Sequence, residues 1–135
     1  MKRTFLLCIA LLMVMFTNSC NAKSPEKQAT AATSEKVEAY YFHFTSRCVT
    51  CKAVEAEAQK DIQALYGNKV IFKSINLDDP SSQQIAEKLQ VPGQALLIVK
   101  GNKIINLTNE GFLYARKDPT KFKSVIKETV DSLLK

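Results

Sequence analysis

Residues 37–44, VEAYYFHF, are dense in aromatic and β-forming side chains and read as a strand buried on both faces at its end. Within a few residues the period changes. Val54, Ala58, Ile62, Leu65 and Tyr66 recur at helical spacing, with Glu55, Glu57, Lys60 and Asp61 on the other side. Gly67-Asn68 then supplies a helix stop. KVIFKSINL returns to strand character over residues 70–77. Strand, helix, strand in that order commits the chain to a parallel pair joined by a right-handed crossover, and so to an α/β fold.

The remaining segments extend this unit. Asp79-Pro80 is a helix start, aspartate as N-cap and proline at the first helical position. That helix turns Ile85, Ala86 and Leu89 inward and must end before Val91-Pro92. Ala95 to Lys100 is an apolar strand, Gly101-Asn102 a hairpin turn, and KIINLT the returning strand. Asp118-Pro119 repeats the cap-and-proline start. The closing helix carries Phe122, Val125, Ile126, Thr129, Val130, Leu133 and Leu134 as its stripe. The order βαβαββα predicts a mixed four-stranded sheet with helices on both faces. Tyr40, Tyr41 and Phe44 are expected in the core. Gly93 is read as a turn or a more open groove, and Gly111 as a point of close approach.

The N-terminal residues have a different character. Met1-Lys2-Arg3 is basic and residues 5–16 are almost unbroken apolar, too short to span a bilayer but suited to a signal peptide over residues 1–19. Thr17-Asn18-Ser19-Cys20 resembles a bacterial lipobox, which would make Cys20 the lipidated first residue of the mature chain. Cleavage after Ala22 is the competing route, and a free Cys20 thiol a third reading. Residues 20–36 then comprise the anchor cysteine and a polar, flexible tether, leaving residues 37–135 as the domain. With 135 residues, 46% hydrophobic and 24% charged, the chain supports one modest core. The net charge of +6 falls to +4 without Lys2 and Arg3 and is scattered among acids, which reads as solvated surface and not as a nucleic-acid site.

Between strand and helix lies TSRCVTCKAV, residues 45–54. Of the four cysteines, Cys8 leaves with the signal peptide and Cys20 with acylation, so Cys48 and Cys51 remain as the close pair. At a helix start the first sulfur sits over unsatisfied amides, where the macrodipole favours a thiolate. The thiolate is the species that attacks disulfides. Cys48 is therefore the expected nucleophile and Cys51, one turn on, the resolving thiol. Arg47 and Lys52 flank them and are expected to lower the thiolate's energy. A structural crosslink is the plainer reading, although so short a loop stabilises little. Zinc lacks two further ligands, because His43 is the chain's sole histidine. Copper(I) lacks a methionine once Met1, Met13 and Met15 are removed. His43 reads as a packed, hydrogen-bonded residue, with tuning of Cys48 as the sharper alternative.

The strand ending in aromatics, Cys48-Val49-Thr50-Cys51-Lys52 opening a helix, Asn76-Leu77-Asp78 after a strand, and Val91-Pro92 before another together resemble the thioredoxin family. The resemblance covers nearly all of residues 37–135 and implies a thioredoxin-like α/β fold. It also implies a cis Pro92 facing the cysteines, with Val91 and Pro92 contacting a substrate peptide. The implied activity is extracytoplasmic thiol–disulfide oxidoreduction by a lipid-anchored monomer, without metal or organic cofactor. Its partners would be exported cysteine-containing proteins and a membrane electron donor or acceptor. A peptide-binding module or metal chaperone without redox turnover is the alternative. Three departures stand out. The usual tryptophan and proline of the active site are absent from Arg47-Cys48-Val49-Thr50-Cys51. The usual buried acid is Phe42 and its lysine partner Ser74, leaving no base beneath Cys51 except water, Glu55 or a substrate group. The segment before Val37 is too polar for the first strand and helix of full-length thioredoxins.

Overall fold

A computed structural model describes residues 36–135. The expectations placed on residues 1–35, including the signal peptide and Cys20, lie outside the described residues. Strand β1 (Val37–His43) leads to helix α1 (Val49–Tyr66), a 3₁₀ turn (Gly67–Lys69) and strand β2 (Val70–Asn76). A second 3₁₀ turn (Pro80–Ser82), helix α2 (Gln83–Lys88), strands β3 (Ala95–Lys100) and β4 (Lys103–Asn106), and helices α3 (Thr108–Tyr114) and α4 (Pro119–Leu134) complete it. Among the described residues no helix is long and apolar enough to cross a membrane.

The sheet order is β2-β1-β3-β4. β1 and β2 are parallel, whereas β1–β3 and β3–β4 are antiparallel. This is the mixed four-stranded sheet expected from the sequence, and the fold is thioredoxin-like. Strand alternation divides the core in two. Val37, Ala39 and Tyr41 of β1 face Val54, Ala58 and Ile62 of α1 and Phe122, Ile126 and Val130 of α4. Tyr40 and Phe42 point the other way, against Ala86 and Leu89. Helices therefore cover both faces, and the central strand is buried along its length.

Several local readings are realised by specific bonds. Asp118 Oδ1 accepts from the Lys121 amide, with Pro119 in the first turn. Gly67 ends α1 at φ 52° and Gly101 turns the hairpin at φ 57°. Asp79 also caps, accepting from the Ser81 amide, but the turn it opens is 3₁₀ and the α-helix begins only at Gln83.

Three expectations fail. Phe44 is 42% exposed and outside the core, because β1 ends at His43 and the chain turns toward the cysteines. Thr108, expected at the end of the returning strand, instead opens α3, which runs to Tyr114 through residues for which no element is expected. Its Gly111 lies where a Cβ would stand 2.9 Å from Val54 Cγ1 of α1. That contact realises the close approach expected of this glycine. The Val91–Pro92 peptide is trans, the lower-energy isomer for an X–Pro bond, since no described peptide is cis.

Candidate active site

The end of β1 delivers the chain to the start of α1, and Cys48 is the residue at that junction. It is the N-cap of α1, with φ −73° and ψ 166°, and its Sγ accepts from the Cys51 amide at 3.2 Å. An uncapped helix leaves that amide without a partner; here a sulfur takes the place of the usual hydroxyl or carboxylate oxygen. Cys48 is exposed, Cys51 only 6% exposed, and the two are joined in a disulfide with Cα atoms 5.2 Å apart. One sulfur is open to a partner molecule and the other is sheltered behind it. That division of labour is what dithiol exchange requires of an attacking and a resolving thiol.

The surroundings of Cys51 are more polar than the sequence suggests. The Tyr41 hydroxyl, reaching from β1, donates to the Cys51 carbonyl at 2.7 Å and accepts from Gln94 Nε2. Burial pushes the Tyr41 phenol above its ordinary pKa, so it remains a proton donor at neutral pH. One turn beyond Cys51, Glu55 accepts from Arg47 Nη1 and from Ser74 Oγ on β2. Arg47 is thus placed in an ion pair, and its charge does not act on Cys48 alone. Lys52 is exposed and makes no ion pair among the described residues.

Phe42 and Ser74, expected to stand in for one buried acid–lysine pair, do not face each other. Ser74 is opposite Tyr41 in the parallel register and Phe42 opposite Ile75. Phe42 is fully buried on the α2 face, while Ser74 bonds to α1 on the other. Period-two alternation sends neighbouring positions to opposite faces, which separates them. His43 is 8% exposed, with Nδ1 2.9 Å from the Phe44 carbonyl, the packed and hydrogen-bonded role.

Two loops lie at the ends of β2 and α2. Asp78 Oδ2 accepts from the Thr45 amide at 2.7 Å, and Asn76 Nδ2 donates to Thr45 Oγ1, fastening the β1–α1 turn to the end of β2. Asp78 is held below its ordinary pKa by the Thr45 amide. Helix α2 ends in a Schellman motif: the Val91 amide donates to the Ala86 carbonyl and the Gln90 amide to Glu87. Gln90 occupies the left-handed position of that motif at φ 55°, where glycine is usual. The Val91 N–H is therefore already used within the protein. Val91 is half-buried and Pro92 exposed. Both line a groove of about 560 Å³ with Leu77, Asp78 and Ala86. Gln94, three residues past Val91, is tied to Cys51 through Tyr41.

Gln94 escaped the sequence reading. Its one signal is that it is a polar residue between Pro92-Gly93 and an apolar strand. Tyr41 was read only as core, and nothing in its spacing marks the hydroxyl's bond. Among the described residues no three His, Cys, Asp or Glu side chains converge in a way that would hold a metal ion.

No family model matches the sequence, and no curated protein does. Solved structures do resemble it. Mitochondrial thioredoxin 3 of Saccharomyces cerevisiae, in its oxidized form, is 23% identical, with 70% of this chain and 79% of that one covered and a TM-score of 0.45. The germline-specific thioredoxin Deadhead of Drosophila melanogaster is 19% identical over 72% of this chain and 84% of its own, with a TM-score of 0.47. A malarial protein is 22% identical over 52% and 75%, with a TM-score of 0.42. The thioredoxin-like fold itself stands on this chain's own strand order and on where it sets Cys48 and Cys51.

Proposed function

We propose that this protein is a thiol–disulfide oxidoreductase of the thioredoxin type. The observation that carries the reading is the pairing of an exposed, helix-capping Cys48 with a sheltered Cys51 in one disulfide. In the reducing direction, the Cys48 thiolate attacks one sulfur of a substrate disulfide. A mixed disulfide forms and the other substrate sulfur leaves as a thiolate. The Cys51 thiolate then attacks Cys48 Sγ, releasing the second substrate thiolate and regenerating the Cys48–Cys51 bond. Two electrons pass from the dithiol to the substrate. In the oxidising direction the same steps run backwards.

The substrates are exported proteins with cysteines, and a membrane electron carrier returns the pair to its starting state. The protein acts outside the cytoplasm, held at a membrane by acylated Cys20 with residues 21–36 as tether. The apolar run and the Ser19-Cys20 junction support this location. Val91 and Pro92 contact the substrate from the groove they line, through the Val91 carbonyl and side chain.

Insulin reduction with dithiothreitol as donor tests the chemistry. Turnover is expected for the wild type and none for Cys48→Ser, whereas Cys51→Ser should accumulate a mixed disulfide. A wild type no faster than Cys48→Ser would leave a peptide-binding module as the better reading. Stoichiometric copper binding lost in Cys48→Ser would favour a metal chaperone. Mass spectrometry of the mature N-terminus tests acylation at Cys20 against cleavage after Ala22.

A further inference from the structure

Glu55 joins three elements. Its Oε2 accepts from Arg47, the residue before Cys48, and its Oε1 from Ser74 of β2. Four residues past Cys51, its side chain lies on the same face of α1 one turn further on. The side chains of Arg47 and Glu55 are 24% and 20% exposed, so salt screens this pair less than an open surface pair. A guanidinium beside a helix N-terminus would normally add its charge to that of the first-turn amides and favour a thiolate. Here a carboxylate anchored from β2 holds it along the helix side.

We propose that the Arg47–Glu55–Ser74 clamp sets the acidity of Cys48 and thereby the reduction potential of the Cys48–Cys51 pair, biasing it toward the reducing side. The proposal rests on the thiol–disulfide reading. Reduction converts the disulfide, with two electrons and two protons, into two thiols. A more acidic thiol stabilises the reduced form at neutral pH and makes the pair more oxidising. By neutralising Arg47, Glu55 removes that stabilisation. Glu55 is a positioning residue: it acts through the guanidinium and touches no substrate atom.

The other charged and titratable groups on the elements around the pair leave the clamp as the variable part. Lys52 on α1 is exposed and unpaired among the described residues. On β1, Tyr41 bonds to the Cys51 carbonyl and Gln94, and His43 to the Phe44 carbonyl. After β2, Asp78 is bonded to the Thr45 amide. Glu110 lies in the first turn of α3.

The test compares Glu55→Gln, Arg47→Gln, Arg47→Lys and the double Gln variant. Cys48 acidity is read from the pH dependence of thiolate absorbance, and the potential from equilibrium with glutathione. Melting curves show that each variant is folded. Glu55→Gln is expected to make Cys48 about tenfold more acidic and to move the equilibrium about tenfold toward the dithiol, about 30 mV. Arg47→Gln should shift both quantities the other way, because it leaves Glu55 unpaired beside the thiols. Arg47→Lys should stay near the wild type, and the double variant should return toward it, the two opposite shifts cancelling. Unchanged values in both single variants, or shifts of the same sign in both, overturn the proposal, as does a change confined to melting temperature. Both readouts use the protein with glutathione alone. Failure here leaves insulin turnover untouched, and absence of turnover leaves these shifts measurable.

Discussion

Tyr41 of β1 donates its hydroxyl to the backbone carbonyl of Cys51, 2.7 Å away, and so fastens the helix carrying the cysteine pair to the sheet beneath it. The same oxygen accepts from Gln94, just before β3. Tyr41→Phe keeps the ring packed but leaves the Gln94 amide without that acceptor. The expected cost is about 1 kcal/mol of stability, read as a lower denaturation midpoint with the slope unchanged. An unchanged midpoint would show that the bond contributes nothing net.

Gln90 holds a left-handed conformation, φ 55°, at the end of α2 next to Val91. A side chain there is opposed by its own Cβ, a penalty of roughly 1–2 kcal/mol, partly offset by the greater freedom glycine has when unfolded. Gln90→Gly should therefore stabilise the protein by up to about 1 kcal/mol. Chemical denaturation checks this, and destabilisation would show that the Gln90 side chain contributes contacts outweighing the strain.

Gly111 presents the reverse case. An alanine is usually favoured over glycine in a helix by roughly 0.5–1 kcal/mol. Here its Cβ would sit 2.9 Å from Val54 Cγ1 and 3.5 Å from Phe122 Cζ. Val54 is fully buried, and a β-branched side chain in a helix has little rotamer freedom with which to give way. Gly111→Ala should cost about 1–3 kcal/mol. In a Val54→Ala background the cost of adding the methyl should largely vanish. Equal costs in the two backgrounds would place the clash elsewhere.

Asp61 is 2% exposed, and its Oδ2 has no hydrogen-bond partner. Lys123 stands 3.8 Å from Oδ1. Burial pushes the Asp61 carboxyl above its ordinary pKa, against the pull of Lys123 and Lys60. With the folded pKa above the unfolded one, the folded state binds the proton more tightly. The group therefore opposes folding progressively as pH rises through the unfolded carboxylate pKa and the folded one above it. Asp61→Asn removes that penalty. The variant should be more stable than the wild type at pH 7, and the gain should shrink as pH falls through the folded pKa and be gone below the unfolded one. A gain independent of pH would exclude the charge as its cause.

The sheet and the long helices were legible because their signals are local. The aromatic run before Cys48, the stripe from Val54 to Tyr66, and the two Asp-Pro starts each satisfy a backbone requirement within a few residues. Cys48 as helix cap was legible for the same reason. Helix α3 was not, because it is seven residues long and lacks a repeating apolar stripe. Phe44 was misplaced because an aromatic following a buried strand carries no mark of where the strand ends. The isomer at Pro92 was carried over from a resemblance, and this chain's loop is trans. The polar links around Cys51 join residues far apart in sequence, Tyr41 to Gln94 and Glu55 to Ser74. No spacing rule reaches such pairs; only the packing of helix and loop against the sheet brings them together.

The reduction potential of the Cys48–Cys51 pair, measured by equilibrium with glutathione, tests the central claim most directly. A functional exchange pair should titrate reversibly as a two-electron couple within the span of known exchange proteins, roughly −270 to −120 mV. A potential below about −300 mV, where glutathione cannot open the bond, would mark a structural crosslink and contradict the oxidoreductase reading.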